Sequence, residues 1–127
     1  MQGRKLAGFI IDCQTDDLLP AATFWGRALG MPVRQLPADE GEKYVALVDP
    51  REQLHIEVQA VAHESRIHLD IETDNINAEV VRLEALGAIR GKRIHTWWVQ
   101  APTGQRFCVV RAKSTPSEFA AHATEWR

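Results

Sequence analysis

At 127 residues and 45% hydrophobic content, the chain is long enough for one domain with an ordinary buried core. A formal net charge of -2, with basic and acidic residues interspersed, leaves no electrostatic footprint for nucleic acid or anionic lipid. No run approaches the roughly 18 apolar residues of a membrane span, and Met1-Gln2-Gly3-Arg4-Lys5 opens without an apolar signal segment, so a cytoplasmic protein with a small organic partner is expected.

The chain repeats itself. Ile10-Ile11-Asp12 through Ala28-Leu29-Gly30 is echoed by His68-Leu69-Asp70 through Ala85-Leu86-Gly87. Each copy then meets a related turn, Val48-Asp49-Pro50-Arg51-Glu52-Gln53 in the first and Gln100-Ala101-Pro102-Thr103-Gly104-Gln105 in the second. In chain order, the first strand is expected from about Leu6 to Gln14. Its period of two sets Phe9, Ile11 and Cys13 on one side and Ile10, Asp12 and Gln14 on the other. A helix follows, capped by Asp16 or Asp17, with Pro20 in its first turn and Gly30 as its stop; Phe24, Trp25, Ala28 and Leu29 form its apolar stripe. Short strands near Val33 to Leu36, Tyr44 to Val48 and Leu54 to Val61 complete this unit.

The second unit begins with a strand from Ile67 to Glu72. A helix from about Ile76 to Leu86 presents Ile76, Val80 and Leu83 on one face and stops at Gly87. Strands near Ala88 to Lys92, Thr96 to Gln100 and Arg106 to Ala112 follow. Beyond Pro116, the spacing of Phe119, Ala120, Ala123 and Trp126 predicts a short amphipathic helix over about 116–126. The two cysteines, Cys13 and Cys108, fall inside predicted strands without CxxC spacing and are read as reduced and buried.

Strand parity brings the chemistry into view. In Leu54-His55-Ile56-Glu57-Val58-Gln59 the polar side carries His55, Glu57 and Gln59. In Ile67-His68-Leu69-Asp70-Ile71-Glu72 it carries His68, Asp70 and Glu72, and Ile67, Leu69 and Ile71 form the apolar side that a helix would cover. Two histidines and three carboxylates thus share one surface, as divalent-metal ligands, as a general acid and base, or as the plain solvated face of a sheet. Trp97 and Trp98 are adjacent, so one faces this surface and the other the helix layer. An aromatic ring there is a platform for an aromatic or cationic ligand. His63 and His95 sit near loops, His122 lies on the expected tail helix, and Arg90, Lys92 and Arg93 read as a solvated edge. Neither a phosphate-cradling glycine loop nor a serine nucleophile motif occurs.

The paired units carry a family resemblance. Its motifs are the Phe24-Trp25 helix closing on Ala28-Leu29-Gly30, the segment from His68 to Asp74 followed by Arg82 to Ala88, and Trp97 through Pro102-Thr103-Gly104-Gln105-Arg106-Phe107-Cys108. Together they resemble the glyoxalase-like branch of the vicinal oxygen chelate superfamily, which includes glyoxalase I, bleomycin-resistance proteins, extradiol dioxygenases, fosfomycin-resistance enzymes and methylmalonyl-CoA epimerase. The resemblance covers nearly the whole chain. It implies an α+β fold, two βαβββ units pairing into a curved, half-barrel mixed sheet with helices on the convex face. The chain would form a single domain over 5–127, with unit one at about 6–62 and unit two at about 65–112.

Catalytic members of that superfamily hold a divalent metal with side chains from the first and last strand of each unit. Matched position by position, the resemblance implies Glu57 and His68 as metal ligands and catalytic pair, with Cys108 where the family's final glutamate stands. The remaining position falls on Ile10, or on Phe9 with a shift of one, and neither can bind a metal. A thiolate suits zinc but not hard, oxygen-preferring ions. One divalent ion (Zn, Ni, Mn or Fe) and no cofactor at all are therefore both open. Asp12, Asp70, Trp97 and Trp98 are the candidate substrate contacts. Two functions remain: a binding protein that sequesters a small organic ligand, and a metal-dependent lyase, isomerase or dioxygenase acting on vicinal oxygens. A homodimer is expected, because pairing of the two units can occur within a chain or by exchange.

Overall fold

The computed structural model describes residues 2–37, 43–93, 97–112 and 123–126. The first half contains β1 (Gln2–Gln14), α1 (Leu18–Leu29), β2 (Val33–Gln35), β3 (Tyr44–Val48) and β4 (His55–Val61). The second contains β5 (Arg66–Thr73), α2 (Ile76–Ala85), β6 (Ile89–Arg93), β7 (Trp97–Gln100), β8 (Arg106–Arg111) and β9 (Thr124–Trp126). Among the described residues no helix is long and apolar enough to cross a membrane. The chain divides into two compact units, residues 8–68 and residues 1–7 with 69–127, so β1 and β5 each contribute to both.

The sequence repeat is a repeat of topology. In the 8–68 unit the strand order is β2-β3-β4-β1, with β1 parallel to β4 and the other pairs antiparallel. In the other unit the order is β6-β7-β8-β5, again with first and last strands parallel. The related turns share a backbone feature as well. Glu52 (φ 54°) and Gly104 (φ 97°) occupy the same place in the repeat, and both are left-handed. In the first turn one side chain gathers the loop's backbone donors. The Asp49 carboxylate accepts backbone N–H groups from Arg51 (3.0 Å), Gln53 (3.2 Å) and Leu54 (2.9 Å). Those donors, Arg51 first, hold the Asp49 carboxyl below its usual range.

In the 8–68 unit, Ile11, Val45, Leu47, Ile56 and Val58 form a core under α1, joined by Phe9, Cys13, Leu18, Ala21, Ala22 and Trp25. The parity expected of β1 holds. The expected helix stripe does not, since Phe24 is 62% and Leu29 42% exposed. α1 instead turns Leu18, Ala21, Ala22 and Trp25 inward with Gly26, where an added Cβ would lie 2.9 Å from the Met31 carbonyl oxygen. Small residues let the helix backbone sit close to the chain beneath, so bulk was a poor guide to the buried face. Asp17 is the N-cap by position but makes no side-chain cap bond, and Gly30 closes the helix in the left-handed region at φ 68°. In the second unit Val80, Leu83, Val99 and Val109 make the core with Ile76, Ala88 and Phe107, as α2's spacing predicts.

β5 reverses the expected burial. His68, Asp70 and Glu72 are buried, while Ile67 is 58% and Leu69 49% exposed. Parity is as read, but among the described residues Ile67 and Leu69 stay exposed, and the ionisable side is the covered one. The chain's end also differs from expectation. Thr124–Trp126 is a strand, antiparallel to Gln2–Arg4, which extends β1 back to Gln2; the backbone hydrogen bonds of that ladder replace the helix expected there. Residues 116–122 of that expected helix, like His95, lie outside the described residues.

One glycine is dictated by packing. Gly8 pairs with His55 across β1 and β4, and an added Cβ there would sit 1.8 Å from the His55 carbonyl oxygen. Gly8→Ala is expected to destabilise the protein by at least about 2 kcal/mol, because backbone rather than a yielding side chain must move. Gly30→Ala meets nothing within 4 Å and should cost only the left-handed penalty of about 1 kcal/mol. Urea denaturation of both variants checks the ranking, and equal losses would contradict it.

Candidate active site

The site is assembled from side chains that alternation throws to one side of the 8–68 unit. β1 contributes Ile10 and Asp12, whose partners on β4 are Glu57 and Gln59, and β3 sets Ala46 opposite Glu57 and Tyr44 opposite Gln59. The beginning of β5 contributes Arg66 and His68. At the centre, His68 Nδ1 lies 2.9 Å from Asp12 Oδ2, with Asp12 2% and His68 5% exposed. An ionised carboxylate only accepts, so Nδ1 carries the proton. The other Asp12 oxygen, Oδ1, is buried with no hydrogen-bond partner among the described residues.

Arg66 links this pair to the surface. Its Nε lies 3.7 Å from Asp12 Oδ2, and its Nη2 donates to His63 Nε2 at 3.3 Å. His63 Nδ1 in turn donates to the Glu64 carbonyl at 2.8 Å, so a single tautomer serves both contacts. Glu57 is held separately: His55 Nε2 stands 2.6 Å from its Oε1, a same-side contact two residues apart on one strand. Gln59 Nε2 donates to the Tyr44 hydroxyl at 3.0 Å.

In the other unit Asp70 is the register partner of Cys108, and Trp98 is paired with Cys108 from β7. Both Asp70 and Cys108 are buried. Lys5 Nζ pairs with the buried Glu72 at 3.3 Å. Trp97 is the register partner of Val109. Alternation along β5 puts His68 on the same side as Asp70. Asp70 and Cys108 thus set a carboxylate beside a thiol within this unit, and the thiol suits zinc better than a hard ion. A carboxylate behind the imidazole, as Asp12 stands behind His68, is also the usual support of a ligating histidine.

Neither cysteine is in a disulfide; Cys108 is buried and Cys13 half-buried. Burial, opposed by a Trp25 hydrogen bond and helped by the Asp12 charge, pushes the Cys13 thiol up, which suits packing rather than nucleophilic work. Sequence alternation sets His55 on the side of Glu57 without assigning it a role, and does not single out Arg66 or Tyr44. The signal for two of them was present: His55 stands two residues before Glu57 and Arg66 two before His68, on the same sides of their strands.

The profile of the glyoxalase-like domain matches residues 8–110. The chain belongs to this family. Solved structures agree on the fold. A Mycobacterium tuberculosis methylmalonyl-CoA epimerase aligns at 16% identity and TM-score 0.58, over 91% of this chain and 93% of its own. A Streptomyces coelicolor methylmalonyl-CoA epimerase in complex with 2-nitronate-propionyl-CoA aligns at 12% and 0.57, over 88% and 98%. A Legionella pneumophila protein described as an NAD-dependent benzaldehyde dehydrogenase aligns at 8% and 0.59, over 82% and 99%. At such identities the likeness shows a shared fold, the vicinal oxygen chelate fold, and chemistry must be argued from the site. No curated protein matches the sequence.

Removing the central carboxylate should be costly. Asp12→Ala strands the His68 Nδ1 proton and is expected to lower stability by about 2–4 kcal/mol. Asp12→Asn retains an acceptor for that proton and should lose about half as much. Equal midpoints for wild type and Asp12→Ala in urea would show that the pair contributes nothing.

Proposed function

We propose that this glyoxalase-like protein binds and sequesters a small organic molecule, without turnover, at a degenerate form of the family's metal site. The observation that carries the reading is the fate of two ligand positions of the 8–68 unit. Ile10 stands beside Glu57 with no donor atom, and the Glu57 carboxylate is taken by His55 at 2.6 Å. The groups left to meet a ligand are hydrogen-bonding ones. Asp12 Oδ1 is a buried acceptor in need of a donor, such as a ligand hydroxyl or amide, and the Asp12-bound His68 is a fixed imidazole. Asp70 and Trp98, both register partners of Cys108, keep their assignment to ligand contact within this proposal. The complex of a fold relative with 2-nitronate-propionyl-CoA supports a small organic ligand for this fold. In this reading the protein is a cytoplasmic homodimer, with neither nucleic acid nor membrane as partner.

The Cys108 thiol beside the Asp70 carboxylate, and the Asp12-supported imidazole of His68 in the other unit, favour a second reading, a divalent-metal-dependent lyase, isomerase or dioxygenase acting on vicinal oxygens. There the ion would polarise substrate oxygens, Asp12 would orient the His68 ring, and Glu57, positioned by His55, would accept a substrate proton and return it.

Metal analysis and melting temperature separate the two. For a binding protein, preparations made without chelator carry far less than one ion per chain, and added zinc or manganese leaves the melting temperature unchanged. A panel of aromatic acids and acyl-CoA thioesters then includes a compound that raises it by mass action and quenches tryptophan fluorescence. Stoichiometric zinc that survives dialysis and is lost in Cys108→Ser and His68→Ala would overturn sequestration in favour of metal chemistry.

A further inference from the structure

We propose that the outer face of α1 docks on the same face of a second copy of this chain across a two-fold axis. This rests on the homodimer reading and supplies its surface. Leu19 is 51% and Phe24 62% exposed, large apolar groups on a helix whose opposite side already fills the core. They share a shallow depression with Asp17, Pro20, Arg27 and Ala28. The stripe is apolar in the middle, acidic at its N-terminal end and basic at its C-terminal end. Single exposed apolar residues need no explanation, and each charge suits its own helix end. What marks this face is that two pairs of these residues share one centre, Leu19 and Thr23 lying outside the pairing.

Asp17 and Arg27 are equally far from position 22, and so are Pro20 and Phe24. An antiparallel copy centred there sets Asp17 against the partner's Arg27 at both ends, about 15 Å apart along the helix. It also sets the Phe24 ring on the partner's Pro20, twice over. That is the self-complementarity a two-fold interface requires: each patch is its own partner. A parallel arrangement, or a foreign partner, would use the apolar centre but not the opposed charges. Phe24 already stands edge-on to Trp25, with ring centroids 5.2 Å apart at 87°, so the anchor is held in place before docking. One helix pair is a small interface, and the dimer should be weak and concentration-dependent.

Sedimentation velocity across a micromolar concentration series tests this with charge reversals on exposed positions, each variant's fold being confirmed by circular dichroism. Asp17→Arg alone, or Arg27→Asp alone, converts both end pairs into like-charge contacts and should weaken self-association by roughly tenfold or more. Mixing the two variants restores both pairs and should yield a heterodimer that neither forms by itself, and raised salt should weaken it. Phe24→Ala should weaken association in every combination. A wild-type chain that stays monomeric throughout overturns the proposal together with the homodimer reading. A dimer indifferent to both reversals overturns this surface alone and leaves a homodimer built elsewhere.

Discussion

The contact between Asp12 and His68 is the constraint around which the 8–68 unit is arranged. A carboxylate and an imidazole, 2.9 Å apart and 2% and 5% exposed, have given up water for each other. Burying an unpaired charge is far more costly than burying a paired one, so each side chain fixes the other's place. Because the partners are 56 positions apart in sequence, that one contact holds β1 against the start of β5 within the unit. Arg66, 3.7 Å from the same oxygen, tempers the charge from the solvent side.

From this follows the inverted burial of β5. A strand with His68, Asp70 and Glu72 on one side and Ile67, Leu69 and Ile71 on the other would ordinarily turn its aliphatic side in. Here Asp12 supports the buried His68 and Lys5 the buried Glu72, while Asp70 is the register partner of Cys108. Satisfied polar groups are compatible with burial, and they make a covered surface chemically specific. The same logic explains why the fold alone does not name a reaction. His55 at Glu57 and Ile10 as its neighbour on β1 are local features that the scaffold accommodates unchanged.

The sequence carried the topology well because the evidence for it is redundant. The repeat, the alternation of β1, β4 and β5, the spacing of Ile76, Val80 and Leu83, and the glycine stops at Gly30 and Gly87 all point to two βαβββ units. What it carried less well was which side of an element is covered. Parity sorts residues into two sides, but only tertiary contacts decide which is buried, as Ile67 and Leu69 demonstrate. In α1 the bulk of Phe24 and Leu29 pointed away from the true buried edge, whose Ala22 and Gly26 are small because the backbone beneath is close. The partners of Glu57 and His68 were within two residues of them, yet a same-side neighbour on a strand becomes a partner only when rotamers bring the atoms together. Glu79 is a further case. Buried at 1% on α2, it is legible only through its bidentate contact with Arg82 at 2.7 and 2.6 Å, which also raises the Arg82 guanidinium above its ordinary value.

The measurement closest to the centre of this account is nitrogen-detected NMR of the His68 imidazole in the ligand-free protein. If Asp12 holds the ring, His68 carries its proton on Nδ1. That proton resonates far downfield, exchanges slowly with water, and is lost or moved strongly upfield in Asp12→Ala. An imidazole protonated only on Nε2, or an Nδ1 proton indifferent to Asp12→Ala, would contradict the pair and the site built upon it.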